Sequence, residues 1–162
     1  MKPQLHEKEE DRLAAVHRLA ILDSAPDARF DEITKEATIK LSVPISTVSI
    51  LDKDREWYKS CQGVNVTEGP REIAFCSWAL LSKNVFIVED ALLDERFKNN
   101  PYVTGAPYIR FYAGMAIVDA VSGLPVGVFC IKDTKPITLD MNELGIFFEL
   151  AQRTEKLINE KL

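Results

Sequence analysis

The chain has 162 residues, 46% of them hydrophobic and 28% charged, with a net charge of −5. That is the length of one domain with a real core, and its interspersed charges lack the basic patch that nucleic acid or an anionic membrane surface demands. The charged start MKPQLHEKEEDR has no apolar stretch of the secretory kind, no run approaches the roughly 20 apolar residues that span a bilayer, and Cys61, Cys76 and Cys130 form no CxxC, so a cytoplasmic setting with reduced thiols is expected.

EKEEDRLAAVHRLAIL has helical period, with Leu13, Val16, Leu19 and Ala20 on one stripe and charges opposite. Pro26 blocks its continuation. Phe30, Ile33, Ala37 and Leu41 mark a second helix that stops near Pro44. The period then changes to two. Ile45–Asp52 predicts a strand, Asp52-Lys53-Asp54 a turn and Arg55–Cys61 the return strand. QGVNVTEGP reads as loop, FCSWALLSK as a short helix and VFIVED as a short strand. ALLDERFKNNPYVTGAP is irregular and long for a connection, the kind of segment that tends to carry function.

IRFYAGMAIV and VGVFCIKD predict two more strands, joined by the turn-rich DAVSGLP. A last helix is expected from about Asp140 to the end. Asp140 and Glu143 have capping-box spacing, and Leu144, Phe147, Phe148, Ala151, Ile158 and Leu162 form an apolar stripe broken at Glu155. The whole of 1–162 reads as a single α+β unit, with 1–23 and 138–162 as flanking helical segments around a mostly antiparallel sheet of about five or six strands.

Six stretches in this order carry a resemblance: EEDRLAAVHRLAILDSAPDARFDEIT, VSILDKDREWYKSCQGV, PREIAFCSWAL, VEDALLDERFKNNPYVTG, IRFYAGMAI and GVFCIKD. Together they are similar to the GAF domains found ahead of bacterial histidine kinases and diguanylate cyclases, small ligand-sensing modules related in fold to PAS domains. The resemblance implies one antiparallel sheet with the terminal helices on one face. On the other face, middle helices and loops would roof a pocket. It further implies a homodimer through the terminal helices and a signal passed to a kinase or cyclase output domain in two-component or cyclic-di-GMP signalling. The chain ends inside the last helix, so either a stand-alone protein or a part of a longer one is expected.

Arg110 is the residue that needs explaining. A cation in a buried-looking strand must find water, an acid or a ligand. By alternation Arg110, Tyr112, Gly114 and Ala116 share one face, and Ile109, Phe111, Ala113 and Met115 the other. Two polar groups followed by two small residues describe a pocket wall. Arg110 either faces that pocket or pairs internally with Glu89, Asp90 or Asp94. Asp90, Arg96 and Phe97 fall where the resemblance puts the lid, and an acid, a guanidinium and a ring together recognise an amino acid or a base. Phe75, Cys76 and Trp78 complete the expected apolar wall, with Trp78 either stacking on a planar ligand or simply core.

The expected ligand contacts are therefore Arg110, Tyr112, Asp90, Arg96, Phe75, Cys76, Trp78 and Phe97. The ligand is an unidentified small molecule, with no cofactor specified and no metal site. Two other readings stay open: a ligand-free dimerisation or protein-interaction module, its pocket filled by Phe75, Trp78, Phe97, Phe111 and Tyr112; and a GAF-fold free methionine sulfoxide reductase. The reductase reading is disfavoured because IRFYAG has no attacking thiol and Cys130 lies on another strand. No enzymatic activity is expected, for no Walker or GxGxxG loop gives nucleotide hydrolysis a handle; within the resemblance, the missing thioether motif argues against a bilin and the missing NKxDE-like motif against a cyclic nucleotide as ligand.

Overall fold

A computed structural model describes residues 1–160. The elements in chain order are α1 (Glu9–Leu19), α2 (Ala28–Lys40), β1 (Ile45–Leu51), β2 (Arg55–Gln62), β3 (Glu68–Pro70), α3 (Cys76–Ala79), β4 (Phe86–Val88), α4 (Pro101–Thr104), β5 (Phe111–Val118), β6 (Pro125–Asp133) and α5 (Met141–Asn159), with short 3-10 turns at Arg71–Ile73 and Ala91–Leu93. The predicted Lys161 and Leu162 positions of the last helix lie outside the described residues. No described helix is long and apolar enough to cross a membrane.

All six strands form one antiparallel sheet in the order β3-β2-β1-β6-β5-β4. The sequence alone reads the β3 segment as loop. Three residues are too short to show a period, and Glu68–Pro70 is a strand only because β2 offers it an edge. The strand expected from Ile109 begins two residues later, at Phe111.

Period-two alternation sorts the strands onto two cores. Val48, Ile50, Trp57, Phe111, Ala113, Phe129 and Ile131 face α1, α2 and α5, where they meet Val16, Phe30, Ile33, Phe147, Leu150 and Ala151. The opposite face carries Leu51, Tyr112, Val128 and Cys130 beneath Phe75, Cys76, Leu80, Phe97 and Val103. α5 starts with the expected capping box at Asp140 and Glu143. Glu155, which interrupts its apolar stripe, accepts the Val118 N–H at 2.7 Å and so ties the helix to the end of β5.

α1 corrects one expectation. Its buried residues are Arg12, Ala15 and Val16, so Arg12, counted with the charged face, is fully enclosed. The guanidinium donates to the Leu51 carbonyl at 2.7 Å and to both oxygens of Glu9, at 2.9 and 3.1 Å. Glu9 also accepts from buried Arg71, at 2.6 and 3.1 Å, and Arg71 reaches the Asp52 carbonyl at 3.0 Å. One carboxylate thus joins two inward-pointing guanidinia. Burial opposes ionisation of Glu9, but Arg71 and Arg12 overcome it and bring its pKa down to about 2. The cluster links α1 to the segment that leads into α3, since the Ser77 hydroxyl donates to the Arg71 carbonyl.

Candidate functional site

The roofed face of the sheet has an unusually polar floor. Alternation places Thr47 and Ser49 of β1, Glu56 and Tyr58 of β2, Cys130 and Lys132 of β6 and Tyr112 of β5 on this side. Thr47, Ser49, Cys130 and Tyr112 have no solvent exposure, and Glu56 is 1% and Lys132 9% exposed. Such groups require partners. The Tyr58 hydroxyl donates to Glu56 Oε1 at 2.9 Å, the Tyr112 hydroxyl to Cys76 Sγ at 3.1 Å, and Thr47 Oγ1 lies 3.0 Å from Cys130 Sγ. Glu56 Oε2 has no partner.

A cavity of about 160 Å³ opens between this floor and the roof. Its walls include Ile45, Tyr58, Phe75, Tyr102, Ile109 and Lys132, and the turn at Ala106-Pro107 closes one side. Lys132 supplies its positive charge. Glu68 sits at the mouth, half-exposed and already paired with Arg55 at 2.9 Å. Burial and the neighbouring Glu56 carboxylate push the Tyr58 phenol far above its usual range. Cys76 and Cys130 differ in character. Burial and the adjoining Cys130 sulfur push the Cys76 thiol up. Burial also raises Cys130, but the neighbouring Cys76 thiol, the Lys132 charge and the Thr47 hydroxyl outweigh it and bring it to about 7.

The structure divides the expected site residues. Phe75 lines the cavity directly. Tyr112 and Cys76 belong to the floor through their mutual hydrogen bond. Gly114 leaves no void beside them, because a Cβ there would overlap the Tyr112 hydroxyl. The room granted by the small residue is filled by the tyrosine ring.

Phe97, Trp78 and Arg96 form the roof's aromatic packing away from the cavity. Phe97 stacks on Phe75 at 4.2 Å, Trp78 meets Phe97 edge-on at 5.6 Å, and Arg96 lies 4.9–5.7 Å from the Phe86, Phe97 and Trp78 rings. Its charge is met by Asp94 at 2.7 Å.

Arg110 and Asp90 play backbone roles. The half-buried Arg110 guanidinium donates to the Val103 and Ile109 carbonyls at 2.9 and 3.0 Å and meets none of Glu89, Asp90 and Asp94. It pins α4 and is not a cavity wall. The reason is local: Tyr108 has φ +60°, so the chain turns just before β5 and Ile109, expected on the helix-covered side, points into the cavity. Asp90 caps the 3-10 turn, accepting the Leu92 N–H at 3.1 Å.

Lys132, Glu56 and Tyr58 were missed. The signal was present, since Lys132 is two residues from Cys130 and both alternate with the buried Ile131 of the helix-covered face. Cys130, on another strand from IRFYAG as the sequence reads, is fully buried in the core opposite Gly114, within the same cluster as Cys76.

No family model matches the chain. Over 134 residues it is 43% identical to the cyclic di-GMP phosphodiesterase PA2567 of Pseudomonas aeruginosa, a match spanning 83% of this chain and 23% of that protein. Among solved structures, the GAF domain of an Acinetobacter phosphoenolpyruvate-protein phosphotransferase superposes with TM-score 0.62 at 14% identity, covering 91% of this chain and 92% of the other. A free methionine-R-sulfoxide reductase from Neisseria meningitidis, bound to its substrate, superposes with TM-score 0.64 at 16% identity, covering 96% of both. These likenesses correct the expectation of no enzymatic activity: the matched relative is named as a phosphodiesterase, and an enzyme shares the fold.

Proposed function

The chain has the GAF fold, and from that premise we propose that it is a sensing domain in cyclic di-GMP turnover, which takes a small molecule into the cavity beside Lys132 and passes occupancy to a phosphodiesterase activity. The observation that carries this reading is the 43% identity to a cyclic di-GMP phosphodiesterase over 134 residues. A ligand acts here by shifting populations, with couplings of about 1–3 kcal/mol. The route outward runs from Phe75 and α3 through the Ser77–Arg71 contact to Glu9 and α1.

Exchanging the matched segment of the Pseudomonas protein for this chain tests the reading. Cyclic di-GMP hydrolysis by the chimera should change about 5- to 150-fold on adding a molecule that raises the melting temperature of this chain. A rate indifferent to such a molecule overturns it.

A second reading rests on the Tyr112–Cys76–Cys130 cluster and concerns thiol chemistry. Cys130, held near pKa 7, would attack the sulfur of free methionine sulfoxide. The sulfoxide oxygen would pass to Cys130 as a sulfenic acid, methionine would leave, and Cys76 would condense with the sulfenic acid to a disulfide and water, to be reduced by an external dithiol. Methionine formation with dithiothreitol, abolished by Cys130→Ser, is its signature. No turnover by the wild-type chain sinks it.

A further inference from the structure

Resting on the sensing reading, we propose that the cavity takes a neutral molecule of one aromatic ring bearing a carbonyl oxygen, and that Lys132 donates to that oxygen. Size is the first constraint. The cavity holds about 160 Å³, and an engineered apolar cavity of roughly 150 Å³ takes one benzene. Sites for drug-sized ligands run to roughly 300–1,000 Å³, so a nucleotide does not fit.

The walls suit a ring. Tyr58 from β2, Phe75 from the roof and Tyr102 from α4 all line the cavity, and aromatic rings attract one another in offset or edge-on pairs. Phe75 is held from behind, by Phe97 at 4.2 Å and Tyr112 at 5.3 Å, which fixes the surface it turns to the cavity. Ile45 and Ile109 are both buried and add hydrocarbon contacts.

Charge and hydrogen bonding set the rest. Lys132 stands opposite Ile45, across β6 and β1, and both line the cavity. Burial opposes its charge, but Cys130, with Tyr58 and Glu56, outweighs burial and keeps the ammonium protonated. Its charge is therefore met without a ligand. Its hydrogen bonds are not: among the described residues no oxygen accepts from Nζ, and Nζ, unlike Glu56 Oε2, is not sealed off. The cavity thus offers N–H donors to an acceptor on the ligand. An anion is disfavoured at the mouth, where Arg55 is shared by Asp23, Asp52 and Glu68 and acid is in excess. A cation is disfavoured inside by the ammonium itself. A neutral carbonyl meets neither objection.

Calorimetric titration of the whole chain with benzamide, toluene, benzoate and benzylamine provides the test. Benzamide should bind at least 10-fold tighter than toluene or benzoate, and benzylamine should not bind. Lys132→Met should bring benzamide down to the affinity of toluene and leave toluene unchanged, a pattern that a merely structural lysine does not produce. Ile109→Phe places a ring of the chain's own beside the cavity and should weaken benzamide and toluene alike by at least 10-fold. Benzoate binding tighter than benzamide overturns the neutral ligand. Equal affinity of the wild-type chain for benzamide and toluene overturns Lys132 as the donor, and unchanged affinities in Ile109→Phe overturn the location. Silence toward all four, with another molecule changing the chimera's hydrolysis, overturns the ligand class and leaves the sensing reading standing. Benzamide binding that leaves the chimera's hydrolysis unchanged upholds the ligand class and overturns the sensing reading.

Discussion

Glu9→Gln should lower stability by about 3–5 kcal/mol at neutral pH, the cost of stranding charges in an interior. Glu9 is the common acceptor for Arg12, which has no exposure, and Arg71, which has 5%. A neutral amide turns an N–H₂ toward one of two guanidinia and leaves both charges without a counterion. Glu10→Gln, one residue away on the exposed face, should stay within about 0.5 kcal/mol of wild type.

The effect has a pH signature. The folded pKa of Glu9 is depressed from 4.5 to about 2. A depressed carboxylate contributes stability that is present above the unfolded pKa and lost as pH falls toward the folded one. The gap between wild type and Glu9→Gln should therefore be full at pH 6 and close progressively between about pH 5 and 2, as followed by urea unfolding at fixed temperature. A gap that persists unchanged at pH 2.5 would show that packing, not charge, accounts for the loss.

Phe97→Ala should cost about 3–5 kcal/mol, the range for emptying an aromatic site in a core. For a chain of 162 residues that is a melting temperature lower by roughly 10 °C. The ring is fully buried, stacks on Phe75 at 4.2 Å with an interplanar angle of 10°, and receives the edges of Trp78 and Phe86. Its removal leaves Phe75, a wall of the cavity, supported on one side only, so ligand affinity should fall together with stability. Leu93→Ala, in the same segment but 83% exposed, should change neither. A loss under about 1 kcal/mol for Phe97→Ala would mean that the roof collapses to fill the void.

Much of the fold was legible because alternation is a local property. Phe111 and Ala113 against Tyr112, and Val48 and Ile50 against Thr47 and Ser49, declare two faces within a few residues of chain. The capping box of α5 is equally local. The site was less legible because charge was read through its usual habit of facing water. Arg12, Glu56 and Lys132 break that habit, and each is buried for a reason that lies far off in sequence: Arg12 meets Leu51, Glu56 meets the edge strand β3 at Gly69, and Lys132 sits beneath the roof segment around Ala106 and Ile109. Arg110 drew attention for the right physical reason. Its resolution onto two backbone carbonyls depends on the turn at Tyr108, which no periodicity announces.

A crystal structure of the chain grown with a small molecule that raises its melting temperature tests the site most directly. Density for that molecule should fill the cavity, with an acceptor atom about 2.7–3.2 Å from Lys132 Nζ. An empty cavity, with the lysine swung into bulk solvent or bonded to a protein carbonyl, would contradict it.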